Sequence, residues 1–173
     1  MNADASISSK RHHIVATGFG PFSSVKFNPS WDALQHLESH GQMKGVFLHT
    51  ILVPVCYFDA DMHVNLIWRR CPSGESCCVG GCSVLSTLID VQALADSLNK
   101  IPDLKLKFEV SKDPGTYLCG YIYYQSLREN PARTLFVHVP FVSEDASLED
   151  IAAALKALLE TVANDYLEKV FMI

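Results

Sequence analysis

No stretch of the chain is apolar for long enough to span a bilayer, and Met1 to Arg11 has no apolar core to serve as a signal peptide. Positive charge is scarce. Lys and Arg number 14 against 19 Asp and Glu, and the resulting net charge of −5 is the opposite of a nucleic-acid footprint. The two basic clusters, Lys10–Arg11 beside His12–His13 and Arg69–Arg70, read as helix ends or solvated surface. There is no internal repeat and no linker-like stretch. These gaps in the repertoire lead to an expectation of a cytosolic protein with neither nucleic-acid nor membrane partners. Residues 1–11 are expected to form a disordered tail, and residues 12–173 a single domain. Apolar residues make up 49% of the chain and charged ones 19%, which is enough to build a core.

Paired cysteine spacings are also lacking. Cys71, Cys77, Cys78 and Cys82 cluster in CPSGESCCVGGC, but no C-x-x-C faces a second pair and no histidine stands nearby. The segment reads as a Gly/Ser/Cys loop with reduced thiols. No metal or other cofactor is expected, and a metal or redox role for these four cysteines is the alternative that metal analysis would decide.

What is present is an alternation of strands and helices. His12 to Ala16 opens as a strand and runs into TGFGPF. Asn28 caps a helix that starts with Pro29, ends at Gly41 and carries Trp31, Leu34 and Leu37 on one face. Phe47 to Val55 is a continuous apolar run, as in a strand buried on both sides, and Asp59 to Arg70 reads as a helix. A second helix follows from about Asp90 to Lys100, and SVLSTLI before it suits either a short strand or the helix start. Leu104 to Val110 alternates apolar and charged residues with period two, as a strand does. Thr134 to Val139 reads as another strand. Ser147 then caps a terminal helix, with Asp150 completing an imperfect capping box. Such alternation implies an α/β fold, a three-layer sandwich whose mostly parallel, twisted sheet has helices on both faces. One strand is missing from the pattern between Arg70 and Asp90, where helix follows helix.

Reactive groups in such sheets collect at the carboxyl ends of the strands. In DPGTYLCGYIYY, Asp113, Pro114 and Gly115 break a strand and Cys119 falls in the first turn of the next helix. Free N–H groups and the helix dipole there favour a thiolate, so the Cys119 pKa is expected to fall. The same position also suits an inert buried cysteine. His138, in FVHVP, is at the end of its own strand, either as an imidazole within reach of Cys119 or as a core histidine between Val137 and Val139.

Taken together, TGFGPF followed by NPSW, then DPGTYLCGYIYYQSL, then FVHVP resembles the pyroglutamyl peptidase I family, and CPSGESCCV is similar to its animal-type members. The resemblance implies a cytosolic cysteine peptidase that removes N-terminal pyroglutamate from peptides. It implies Cys119 as nucleophile and His138 as general base, Phe19 and Phe22 as the aromatic walls around the lactam ring, and Asn28 as the residue that fixes their loop.

Three departures from the family pattern stand out. Pro114 replaces a usual alanine, and Gly120 replaces a usual asparagine or aspartate. The third is larger: the strand that family members carry after the helix ending near Arg70 is absent, together with the loop bearing the triad glutamate. Glu75 is the carboxylate nearest the gap, and no motif assigns it that role. A catalytically impaired relative, or a shortened splice product, is therefore the second reading. It would at most bind pyroglutamyl peptides or a protein partner, and the broken sheet offers an edge for self-association.

Overall fold

A computed structural model describes residues 11–40, 42–70, 84–115 and 117–167. Residues 1–10 of the tail expected over 1–11, Gly41, the cysteine-rich loop and Glu75 lie outside these residues.

Two parallel strands form the ordered sheet. β1 (His12–Phe19) pairs with β2 (Val46–Val53) in a register running from His12↔Val46 to Phe19↔Val53. β1 extends three residues beyond the expected Ala16, and β2 ends at Val53, just before Pro54 and two residues short of the expected Val55. Between the strands, α1 (Pro29–His40) buries Ala33, Leu34 and Leu37. α2 (Tyr57–Arg70) follows β2. Residues 84–90 are not helical, which settles SVLSTLI as the approach to α3 (Val91–Leu98). The Asp90 side chain accepts from the amide of Ala93 at 2.9 Å and so fixes where α3 begins.

α4 (Leu118–Glu129) carries Cys119, and α5 (Leu148–Thr161) runs on into one π turn over Val162–Tyr166. The capping box of α5 is complete despite Asp standing in for the usual Glu. Ser147 Oγ accepts from the Asp150 amide at 3.1 Å, and Asp150 Oδ2 accepts from the Ser147 amide at 3.0 Å. Lys105 Nζ also donates to Asp150 Oδ2 at 2.8 Å.

The fold is α/β, and its helices lie on both sides of the extended segments. Leu34 and Leu37 of α1 and Ile151 and Ala152 of α5 form one cluster, flanked by Ala16, Leu48, Leu106 and Val139. Leu94 and Leu98 of α3 pack with Leu158 of α5, flanked by Phe108, Leu135 and Val137. On the other side, Ala60 and Val64 of α2 meet Leu118 and Ile122 of α4, flanked by Phe19, Ile51 and Phe136.

Segments 104–110 and 134–139 depart from expectation. Burial alternates with period two from Leu104 to Glu109, and in 134–139 the side chains alternate in direction: Leu135, Val137 and Val139 face one side while Phe136 faces the other. Among the described residues, however, neither joins a backbone ladder. Phe108 is held instead by a side chain. Asn99 Nδ2 donates to its carbonyl and Asn99 Oδ1 accepts from its amide, both at 2.8 Å. Alternation fixes which way side chains point, but a ladder needs a neighbouring strand in register.

No helix among the described residues is long and apolar enough to cross a membrane.

Candidate active site

The loop after β1 is built around Asn28. Its Nδ2 donates to the Gly20 carbonyl at 3.1 Å, and its Oδ1 accepts from the Ser30 amide at 3.2 Å and from Ser30 Oγ at 2.9 Å. Ser30 Oγ in turn accepts from the Phe19 amide at 3.0 Å. One side chain thus ties the end of β1 to the first turn of α1. The two approach so closely that a β-carbon on Gly18 would lie 2.6 Å from Trp31 Cα.

This frame places the two phenylalanines differently. Phe19 is half-buried against the cluster that contains Leu118, the neighbour of Cys119. Phe22 is 41% exposed, on a tight loop closed by reciprocal backbone hydrogen bonds with Val25. Phe22 is open to a ligand, whereas Phe19 is engaged with the core.

Cys119 is the second residue of α4 and is half-buried. The loop before it is held by Asp113, whose Oδ1 accepts from the Gly115 amide at 2.8 Å, and Gly115 takes a positive φ of 87°. Its carbonyl then folds over the start of the helix. A β-carbon on Gly120 would lie 2.3 Å from Gly115 O, so this backbone path admits only glycine after the cysteine. Gly120, an oddity in the sequence, has a steric reason.

The expected fall in the Cys119 pKa does not hold. Burial pushes the thiol upward, and the opposing pull of its own backbone amide is the smaller effect. The desolvation of the sulfur outweighs what the helix start contributes toward a thiolate.

His138 is exposed and meets the edge of the Phe136 ring, with centroids 4.9 Å apart. Phe136 in turn lies 5.5 Å from Tyr123 of α4. The His138 Nε2–H donates to the Pro114 carbonyl at 3.3 Å. A carbonyl can only accept, so this contact selects the tautomer whose Nδ1 has the free lone pair, as a general base requires. His138, on segment 134–139, thus reaches the loop that leads into Cys119, but among the described residues no hydrogen bond joins the two side chains. No described carboxylate bonds to His138 either.

The link that positions α4 was not foreseen from the sequence. Tyr121 OH contacts Asp61 Oδ1 at 2.8 Å and Oδ2 at 2.9 Å, and Gln125 Nε2 donates to Tyr121 OH at 3.1 Å. Tyr57 meets the Tyr121 ring edge-on at 4.9 Å. This polar link pins α4 to α2 two residues from Cys119. Its one local signal was the i, i+4 spacing of Tyr121 and Gln125. Two concavities on α2, of about 420 and 230 Å³, lie beside this link, and Cys119 and His138 line neither.

No family model matches the chain. Individual proteins do. The chain is 28% identical to human pyroglutamyl-peptidase 1 over 191 residues, covering 89% of this chain and 91% of the relative. The chain is similar to pyroglutamyl-peptidase 1 over most of its length. The mouse pyroglutamyl-peptidase 1 is 27% identical over 87% of this chain and 89% of its own length. The pyrrolidone-carboxylate peptidase of Chromobacterium violaceum is 24% identical over 85% and 90%.

The human comparison also measures the shortening. Since 89% of 173 residues is about 154, about 37 of the 191 aligned positions have no residue in this chain. That is enough for a strand and a long loop.

Proposed function

We propose that the chain is a cytosolic cysteine peptidase of the pyroglutamyl peptidase I type, folded as a single domain over residues 12–173. It acts on peptides with an N-terminal pyroglutamate, with Cys119 attacking the amide and His138 serving as base and then as acid to the leaving amine. Phe22 offers an apolar wall to the flat lactam, Phe19 backs it from the core, and Asn28 holds their loop. The observation that carries this reading is the contact between His138 and Pro114. It brings the imidazole to the loop that leads into Cys119, in the tautomer suited to a base.

A second reading is favoured by the same site. Among the described residues His138 bonds to a backbone carbonyl and to no carboxylate, the thiol is pushed toward its protonated form, and about 37 aligned positions of the human relative have no counterpart here. Loss of an orienting acid lowers turnover by about 10⁴-fold in a serine triad. The resting chain is thus expected to be a strongly impaired peptidase. A fluorogenic pyroglutamyl-amide assay, run with Cys119→Ala and His138→Ala controls, tests both readings. Slow turnover lost in both variants supports the peptidase, whereas turnover unchanged in Cys119→Ala rejects it.

A further inference from the structure

We propose that Tyr121 and Asp61 are positioning residues for Cys119: their bond holds the first turn of α4 against the loop before the cysteine and so sets how far the thiol is withdrawn from water. The consequence for turnover rests on the reading of Cys119 as nucleophile. The consequence for the thiol itself does not.

Contacts converge on the start of α4 from two elements. From α2, Asp61 faces Tyr121 OH with both carboxylate oxygens, at 2.8 and 2.9 Å. One turn further along α4, Gln125 Nε2 donates to Asp61 Oδ1 at 3.4 Å and to Tyr121 OH at 3.1 Å. Arg128 Nη1 steadies Gln125 by donating to its Oε1 at 3.3 Å. Two successive turns of α4 thus grip one carboxylate. From the preceding loop, the Gly115 carbonyl closes over the backbone at Gly120, where a β-carbon would meet it at 2.3 Å. Cys119 lies beside both, one residue before the closure and two before the grip.

The polar grip does something that the packing around it does not. Leu118 and Ile122 already bury α4 against Ala60 and Val64 of α2. Apolar burial is non-directional and leaves a helix some freedom to slide. A hydrogen bond is directional and fixes the register. The tyrosine suits this task because its ring is held as well, edge-on to Tyr57 at 4.9 Å, so the hydroxyl has a defined place. The Gly115 carbonyl blocks movement of the turn toward the loop. Release from Asp61 would therefore let the turn retreat from that carbonyl and admit water to the half-buried sulfur.

Two consequences follow from a looser turn. The thiol loses part of the desolvation that pushes its pKa upward, so it alkylates faster. A nucleophile no longer held in place also loses turnover number more than substrate affinity.

The test compares the full chain with Tyr121→Phe, Asp61→Leu, their double variant and Asp61→Asn, whose side-chain carbonyl still accepts from the phenol. Leu94→Val, in the separate cluster of α3, serves as a variant destabilised elsewhere. Iodoacetamide labelling of Cys119 near pH 8 is mapped with exposed Cys56 as internal reference, beside a thermal melt of each protein. Tyr121→Phe keeps the ring and its contact with Tyr57, so a cooperative melt is expected. Labelling of Cys119 should rise about fivefold or more in Tyr121→Phe and Asp61→Leu, and no further in the double variant. It should stay within about twofold of the parent in Asp61→Asn and Leu94→Val. An unchanged rate in Tyr121→Phe would overturn the proposal and leave the bond a fastener only, whatever the melt shows. An equal rise in Asp61→Asn or Leu94→Val would also overturn it, by assigning the effect to charge or to overall stability. Turnover of a pyroglutamyl amide separates the two readings: the expected labelling pattern in a parent chain without Cys119-dependent turnover keeps the positioning role and rejects the peptidase.

Discussion

His138 Nε2 donates to the Pro114 carbonyl at 3.3 Å, five residues before Cys119, so the imidazole is tied to the loop that leads into that residue, with no bond to its thiol among the described residues. The first prediction concerns the thiol. Cys119 is half-buried with its pKa pushed up, while Cys56 is exposed. Brief iodoacetamide treatment at pH 7 followed by peptide mapping should label Cys56 faster, and His138→Ala should change the Cys119 rate by less than about twofold. Preferential labelling of Cys119 at neutral pH would instead show a thiolate already activated.

Helix propensity and the observed packing disagree at Gly120. Propensity alone makes Gly120→Ala stabilising by about 1 kcal/mol. A β-carbon 2.3 Å from Gly115 O requires the loop before Cys119 to move, and that reverses the sign. A lower melting temperature for Gly120→Ala is expected, and a higher one would mean the loop yields freely.

Phe19 and Phe22 separate in the same manner. Phe22→Ala should leave the melting temperature nearly unchanged and weaken binding of a pyroglutamyl ligand. Phe19→Ala should cost about 2 kcal/mol, below the range for a fully buried phenylalanine because Phe19 is only half-buried. Denaturant melts beside a ligand titration distinguish the two roles.

Asn28→Ala removes a helix cap and the tie to Gly20 together. A loss of about 1–2 kcal/mol is expected from the cap. Ser30→Ala should have a smaller effect of the same sign, because Asn28 keeps its bond to Gly20. Equal melts for Asn28→Ala and the parent chain would contradict the role given to this side chain.

Acid stability has an identifiable contributor. Lys105 and the Ser147 cap hold the Asp150 carboxyl down at about 2, below its ordinary 3.8. A depressed carboxylate contributes stability that is fully present above the unfolded pKa and is lost as pH falls through the folded one. The contribution of Asp150 should therefore decline between about pH 4 and pH 2. Asp150→Asn should flatten that part of the pH–stability curve, and an unchanged slope would remove Asp150 from the account.

The helices were legible because their signals are local. Asn28-Pro29, Asp90 and Ser147 mark three helix starts, and the structure uses each side chain as a cap. Leu104 to Val110 and Thr134 to Val139 were legible as alternating segments, but not in their pairing, because a ladder depends on a strand elsewhere in sequence. The residues proposed for the site, Cys119 and His138, were named from their motifs, and the structure brings His138 to the loop before Cys119 without joining the two. The upward push on Cys119 was not, since it comes from burial by packed neighbours. Nor was the Asp61–Tyr121 bond, whose partners are 60 residues apart.

The central proposal is that Cys119 and His138 act as nucleophile and base without a carboxylate to orient them, since none bonds to His138 among the described residues. Turnover of a pyroglutamyl fluorogenic amide by the purified chain, measured beside human pyroglutamyl-peptidase 1 under identical conditions, tests it most directly. Turnover lower by about 10³-fold or more, and lost in Cys119→Ala, is the predicted result. A rate equal to that of the human relative, from a cooperatively folded monomer, would contradict it.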